Sequence, residues 1–424
     1  MSQADASMPK VAVLMTAFYY RSHAHCFIEN LLHPCLFNGA WRPPRVQIAS
    51  FYVDQFPHND MSRAVAAEHA IPIYPTIAEA LCLGGSELAV DAVLIIAEHG
   101  DYPVNERLQP MFPRKRFFDA CADVFRKSGR SVPVYNDKHL AHRFDWAREM
   151  YDVAQELAIP FMAGGSVPLA QRRPPVEVPA GAPIRETLAV HNGPIEAYDF
   201  HAIEIAQSVA EFRQGGETGV ERVAFVQGDA LWDAADAGAW SPALALAAME
   251  AELGPLQGPP RQAFRVLADR EGWDLDAMHA IIVAHRDGLR TTALKIGAGT
   301  PANQHTPNRY DRWNLACRID GEPTPVAFAF YTGPWQNRNL FKALSHAIQA
   351  FFVSGEAPYP VERTLLTTGI LDAAMHARAL GGPVDTPELA IAYAARDFSA
   401  FREMGASWEI ISEETPEPDG LARP

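Results

Sequence analysis

The sequence predicts an α/β chain in two parts. An N-terminal Rossmann-like, doubly wound parallel sheet comes first, then a C-terminal α+β domain with an open, largely antiparallel sheet. Three observations carry this reading. Strand-like and helix-like patterns alternate through the first 165 residues, and such alternation implies parallel pairing through right-handed crossovers. Pro168, Pro174, Pro175, Pro179 and Pro183 then crowd one short stretch, where neither a helix nor a central strand continues. Beyond it, strand-like runs and helices follow in a mixed order. Residues 1–166 are therefore read as the Rossmann-like domain and 167–185 as a proline-rich linker or first edge of the second domain. Residues 186–412 are read as the substrate and oligomerisation domain, and 413–424 as a mobile acidic tail.

The elements follow in order. Val11 to Met15 is an apolar run of buried-strand type. Ser22 to Leu32 has helical spacing, with Phe27, Ile28, Leu31 and Leu32 on one side. Val46 to Val53 is the second strand, Ala64 to His69 a helix, Ile71 to Tyr74 a short strand and Thr76 to Leu81 a helix. Asp91 to Ala97 is the most apolar strand. Phe117 to Lys127 is a helix, Ser131 to Tyr135 a strand, Arg143 to Leu157 a long amphipathic helix and Phe161 to Ala163 a last short strand. In the second part Ala202 to Phe212, Leu340 to Phe352 and Pro360 to Leu380 are helical. Arg222 to Gln227, Ala280 to His285, Arg290 to Ile296, Leu315 to Ile319 and Val326 to Tyr331 are strands.

Composition removes several function classes. The chain has 424 residues, 48% of them hydrophobic and 21% charged, as ordinary globular proteins do. Its formal charge of -15 opposes phosphate backbones and anionic membranes, so neither a nucleic acid nor a membrane is expected as partner. No run approaches the ~20 apolar residues of a membrane helix, and the N-terminus lacks the pattern of a secretory signal. The five cysteines are scattered without a C-x-x-C pair, which argues against a disulfide framework or thiolate zinc site and for a reducing cytoplasm.

Three clusters carry chemistry. Glu98-His99-Gly100-Asp101-Tyr102-Pro103 follows the most apolar strand, at the end where open α/β sheets bind ligands. Here His99 is placed on the cofactor side, and Asp101 and Tyr102 on the substrate side. Asn136-Asp137-Lys138-His139 follows the next strand and faces the same crevice. Its lysine suits a general acid or a holder of a substrate oxyanion, and Asp137 and His139 are expected to meet substrate. Glu196, Tyr198, His201 and Glu204 form the third cluster. His201 and Glu204 are three apart, so a helix puts a base and an orienting carboxylate on one face, beside Tyr198. His99, His139 and His201 could also converge on one divalent metal, although no local H-x-x-x-H spacing supports it. His23 and His25, two apart, do not face each other on a helix. Trp313, Tyr331, Trp335 and Tyr359 could line a sugar site or pack in the core.

The expected phosphate loop is missing. A dinucleotide fold places G-x-G-x-x-G after its first strand; here the stretch is Met15-Thr16-Ala17-Phe18-Tyr19-Tyr20. A nucleotide held in an altered way would meet Thr16, Ala17 and Phe18, with Asp54 at the end of the second strand as ribose-binding acid. Otherwise the sheet has lost its cofactor.

Five segments resemble the Gfo/Idh/MocA oxidoreductases, which act mostly on sugars and cyclitols. They are Leu14 to Ala24 (LMTAFYYRSHA), Asp91 to Ala97, Arg130 to Leu140 (RSVPVYNDKHL), Gly193 to Glu204 (GPIEAYDFHAIE) and Pro358 to Leu380. The resemblance implies that Lys138 is the catalytic, cofactor-side lysine, His201 the proton-transferring histidine and Glu204 the trailing acid. Glu196 stands next to Ala197, where the family has an acid. It implies NAD or NADP as cofactor, a carbohydrate substrate, and a homodimer or homotetramer paired through the open sheet. The function expected is a sugar or polyol oxidoreductase. The alternative is a non-redox sugar lyase, epimerase or hydrolase on the same fold, with a divalent metal as its alternative cofactor. A third reading is a non-catalytic sugar-binding protein.

Overall fold

The structure is a computed structural model that describes residues 8–271, 273–297 and 313–421. Its strands are β1 (Lys10–Met15), β2 (Cys35–Phe37), β3 (Ala40–Arg42), β4 (Gln47–Val53), β5 (Ile73–Tyr74), β6 (Ala92–Ile96), β7 (Val134–Asp137) and β8 (Phe161–Gly164), then β9 (Gln171–Arg173), β10 (Ile184–His191), β11 (Val220–Gln227), β12 (His279–His285), β13 (Arg290–Lys295), β14 (Trp313–Ile319), β15 (Val326–Tyr331) and β16 (Val384–Asp385). The helices are α1 (His23–Leu32), α2 (Ser62–Glu68), α3 (Ile77–Cys82), α4 (Arg114–Ser128), α5 (Phe144–Glu156), α6 (Asp199–Ala210), α7 (Asp229–Asp236), α8 (Pro242–Leu253), α9 (Pro260–Glu271), α10 (Asn337–Ser354) and α11 (Val361–Leu380).

Buried apolar runs form the first sheet. Val11 to Met15 and Ala92 to Ile96 are fully shielded from solvent, as expected of strands covered on both faces by crossover helices. The six strands are all parallel, in the order β5-β4-β1-β6-β7-β8. The order in which strands are added reverses between β1 and β6, so a crevice opens at their carboxyl ends. The sequence had predicted each of these strands. It had not predicted the β2–β3 hairpin.

The second sheet has eight strands in the order β16-β11-β12-β13-β10-β14-β15-β9. It is largely antiparallel, with one parallel pair between β10 and β13. β9, in the proline-rich stretch, pairs with β15 as the edge of this sheet. The central strand β10 is absent from the sequence reading and begins at Ile184, inside the span read as linker. It was missed because both its faces are covered, so it shows no polar–apolar alternation. α6 and α11 cover one face. α8, from a helical segment over 229–271 that was also missed, packs on β10, β14 and β15 across the other. The face expected to pair subunits is thus covered by this chain's own helix.

A single apolar cluster runs from the first sheet into α6, α10 and α11. The last described residues are anchored too. The Glu417 carboxylate accepts from Tyr20 Oη at 3.0 Å, Arg21 Nη2 at 2.5 Å and Arg338 Nη1 at 2.9 Å, and Leu421 is buried. Among the described residues no helix is long and apolar enough to cross a membrane.

Trp240, between α7 and α8, is 1% exposed and donates its indole N–H to Leu231 O at 2.8 Å. Trp240→Ala is expected to cost about 3–5 kcal/mol in urea unfolding. A loss well under 1 kcal/mol would show that the helical layer is not part of the cooperative core.

Candidate active site

The crevice chemistry starts at the end of β6. Glu98 follows that strand and is buried. Its Oε1 pairs with Lys138 Nζ and its Oε2 with Arg114 Nη2. Burial alone would raise the Glu98 carboxyl, but the Lys138 and Arg114 charges hold it well below the usual carboxylate range. Lys138 leaves β7 in a left-handed conformation, φ 61°. Its amide donates to Gly164 O at 3.0 Å, and its ammonium also reaches Ala197 O at 3.4 Å.

α6 supplies the opposite wall. His201 Nδ1 lies 3.5 Å from Glu204 Oε2, at the spacing the sequence predicted. Glu204 Oε1 accepts the Gly165 N–H at 2.6 Å. The close approach explains the glycine pair after β8. A Cβ on Gly164 would come within 2.7 Å of Glu204 Oε1, and one on Gly165 within 2.7 Å of Glu204 Oε2 and the His201 ring. Burial pushes the Glu204 carboxyl up to about 7, against the Gly165 hydrogen bond. Burial, with the charges of Lys138 and His23 added, drives the His201 imidazole well below its ordinary value, so it is a neutral base.

His23, Lys138, Tyr198, His201 and Trp313 line one enclosed cavity of about 60 Å³. Tyr198 stacks on Trp313 with centroids 5.1 Å apart and planes 15° apart. Gly193 permits this, since a Cβ there would lie 1.9 Å from the Tyr198 ring. His23 Nδ1 meets Asp137 Oδ2 at 2.5 Å. Of the two α1 histidines, read as one facing the crevice and one facing solvent, His23 does reach the cavity, but His25 is fully buried rather than solvent-facing. Arg114, Tyr19, Gln336 and Asn337 were not foreseen: they are brought in by tertiary packing and carry no local signal.

The start of α6 is pinned by a buried network. Asp199 Oδ1 accepts from His191 Nε2 at 2.9 Å and His279 Nε2 at 2.8 Å, and Oδ2 accepts the Glu196 N–H at 2.7 Å. His279, Lys295, His191 and Trp313 are register neighbours across β12, β13, β10 and β14. Lys295 is buried and donates to Gly297 O at 2.7 Å. Burial would raise the Asp199 carboxyl, but His279 and His191 hold it far below its ordinary value.

Other expected residues take other places. Glu196, at φ 64°, lies 3.3 Å from His139 Nε2. His139 donates from Nδ1 to Ala141 O at 2.9 Å; burial and Arg114 lower its pKa. Neither residue lines the cavity. Asp101 is exposed, its backbone clasped by the Gln55 amide at 2.8 and 2.9 Å. The proposed metal set of His99, His139 and His201 does not converge: among the described residues the ligand atoms of these three are not grouped within reach of one ion. Among the described residues the three-ligand grouping is instead His191, Asp199 and His279.

On the nucleotide side, Thr16 Oγ1 accepts the His99 N–H at 3.3 Å, and Ala17 and Phe18 are buried. His99 Nδ1 meets Tyr19 Oη at 3.0 Å, and its Nε2 is buried without a partner. Burial and the His23 charge lower the His99 pKa to about 3. Ser22 Oγ caps α1, accepting from the His25 N–H at 3.2 Å. Asp54 accepts from Tyr52 and Tyr102 at 2.5 Å each and from Arg116 at 2.7 and 2.8 Å.

No family model and no curated protein matches the chain. Solved structures do. GenD2 from gentamicin A biosynthesis, in complex with NAD, is 13% identical, with 91% of this chain and 99% of that one covered at a TM-score of 0.55. An oxidoreductase from Agrobacterium radiobacter, in complex with NAD+, L-tartaric acid and magnesium, is 12% identical over 89% and 98% of the chains, TM-score 0.52. Myo-inositol 2-dehydrogenase from Lactobacillus plantarum is 12% identical over 89% and 99%, TM-score 0.52. At such identities the likeness establishes the fold. It is the fold that the resemblance in sequence implied, a six-stranded parallel sheet beside an eight-stranded, largely antiparallel one.

Glu204 yields a pH prediction. Its folded pKa, about 7, lies above the ordinary 4.5, so between these values the native state binds more protons than the unfolded chain. Stability therefore falls as pH rises through that window and levels off above it. Glu204→Gln is expected to remove that fall, so the variant gains up to about 3 kcal/mol on wild type between pH ~4 and ~8. Parallel urea-unfolding profiles of the two proteins would refute the raised pKa.

Proposed function

We propose that the chain is an oxidoreductase acting on a CH–OH group of a small sugar or polyol, with NAD or NADP as cofactor. The observation that carries this is that the Glu98-fixed Lys138 ammonium and a neutral His201, backed by Glu204, line one cavity. The fold supports it, since solved structures of this fold include inositol dehydrogenases, and two others, GenD2 and an oxidoreductase, contain NAD.

The chain's groups fit a nicotinamide nucleotide at its ribose end. Asp54 offers a carboxylate for ribose hydroxyls, Arg116 offers a cation for a 2′-phosphate, and the unpartnered His99 Nε2 stands nearer the reacting centre. When bound, such a nucleotide supplies hydride acceptance and return at the carbinol carbon. The protein's part is to bind and to move a proton. Lys138 holds the substrate oxygen as negative charge develops on it. His201 takes the hydroxyl proton at its free ring nitrogen, and Glu204, which titrates near neutrality, shares that proton load. Trp313 and Tyr198, stacked on each other, give the cavity an apolar side.

A specific observation favours a second reading. The nucleotide turn is satisfied internally: Ser22 caps α1, Tyr19 bonds His99, and Asp54 already has three partners. A non-redox lyase or epimerase would use Lys138, His201 and Glu204 alone.

Thermal-shift titration with NAD, NADH, NADP and NADPH separates the two. A ligand at 100 times its Kd stabilises by about 2.7 kcal/mol, and Asp54→Ala is expected to abolish the shift. No shift with any of the four would favour the second reading. His201→Ala is expected to lower kcat by about 10²- to 10⁴-fold with the fold retained by circular dichroism. Unchanged turnover would remove His201 from the chemistry.

A further inference from the structure

A second cavity lies on the far side of the second sheet, between its outer face and the helical segment 229–271. Its volume is about 570 Å³, within the range of small-molecule sites. The floor is a cross-strand row: Glu186 of β10 is the register neighbour of Arg290 on β13 and of Arg318 on β14. Arg261, at the start of α9, and the indoles of Trp232 and Trp240 complete the wall. Glu186, Leu188 and Val190 face this side, while Ala189 belongs to the cluster around α6. His191 therefore points the other way, roughly 17 Å along the strand from Glu186.

Two of the three arginines, Arg318 and Arg261, are only loosely engaged. Arg318 Nε is 3.9 Å from Glu186 Oε2, and Arg290 Nη2 is 3.5 Å from it. Arg290 Nη1 donates to Gly238 O, and Arg261 lies 3.4 Å from the exposed Asp236 carboxylate. Glu186 is 3% exposed, and its Oε1 has no hydrogen-bond partner. Three guanidinium groups against two carboxylates leave a local positive excess in a chain of net charge -15, and field lines concentrate in such a cleft. Guanidinium planes bind phosphate oxygens in pairs, and Trp232, with Arg261 over its ring at 5.0 Å, can stack a flat group.

We propose that this cavity binds a phosphate monoester carried on a ring: the phosphate between Arg290, Arg318 and Arg261, the ring against Trp232. The site is independent of the crevice chemistry, since it draws on the opposite face of β10. A nucleoside monophosphate and a sugar phosphate share this chemistry, and the test has an arm for each. The full chain is titrated with AMP and with glucose 6-phosphate by calorimetry, with adenosine and glucose as controls. At least one phosphorylated probe is expected to bind and its control to fail. Arg318→Ala, at a half-exposed position with one long contact, is expected to weaken binding at least about tenfold. Glu186→Gln, which removes the opposing charge, is expected to tighten it, a direction that misfolding cannot mimic. Asp54→Ala should leave it unchanged, which separates this site from the nucleotide crevice. Absence of binding by both probes, or binding indifferent to Arg318→Ala, overturns the proposal.

Discussion

The crevice depends on one buried carboxylate. Moving an ion from water into a protein interior costs several kcal/mol even after relaxation, and Glu98 is recovered only because two cations meet it from different elements. Arg114 is the first residue of α4, and Lys138 follows β7. The pair therefore fixes α4 and β7 relative to the end of β6. It also accounts for Lys138 in a left-handed conformation, which persists when the surroundings over-determine it. The Lys138 amide bonds Gly164, and the next glycine receives Glu204. One carboxylate with its two ion pairs thus sets the register of both walls.

The charge it places in the crevice decides where protons can sit. With Lys138 and Arg114 positive and buried, added positive charge nearby is disfavoured. His99, His139 and His201 all have lowered pKa values, and burial is the first cause in each. Glu204 shifts the other way, because its burial is not answered by a paired cation. A neutral imidazole next to a carboxyl that titrates near pH 7 is an acid–base couple separated by environment alone.

The first sheet was legible because its strands are continuous apolar runs, bounded by turns and separated by amphipathic helices. Lys138, His201 and Glu204 were legible because they lie at strand ends or at helical spacing. What stayed hidden depends on distance in sequence. Arg114 reaches Glu98 from the next helix, and His191 and His279 reach Asp199 from strands that 80 or fewer residues separate from it. The metal reading failed for a related reason: sequence can show two histidines after strands and one on a helix, but not that their ring nitrogens fail to meet at one point. Asp101 was expected in the crevice beside Glu98, but its backbone is clasped by Gln55 and the residue is exposed.

The helical layer over 229–271 explains both the missed strand and the second cavity. An open sheet with one wet face shows alternation, whereas β10, covered by α6 on one side and α8 on the other, reads as Ile-Arg-Glu-Thr-Leu-Ala-Val-His. Where α8 stops short of the strand's start, the covering is incomplete, and the row Arg290–Glu186–Arg318 is left beneath a gap rather than beneath a core. Apolar side chains would close such a gap, as Leu188 and Val190 do further along the same face. Charged side chains hold it open, because guanidinium groups keep their hydration unless an anion replaces it. The strand thus serves two sets of side chains on opposite faces. Changes to one face leave the other's contacts in place, which makes the two sites separable by substitution.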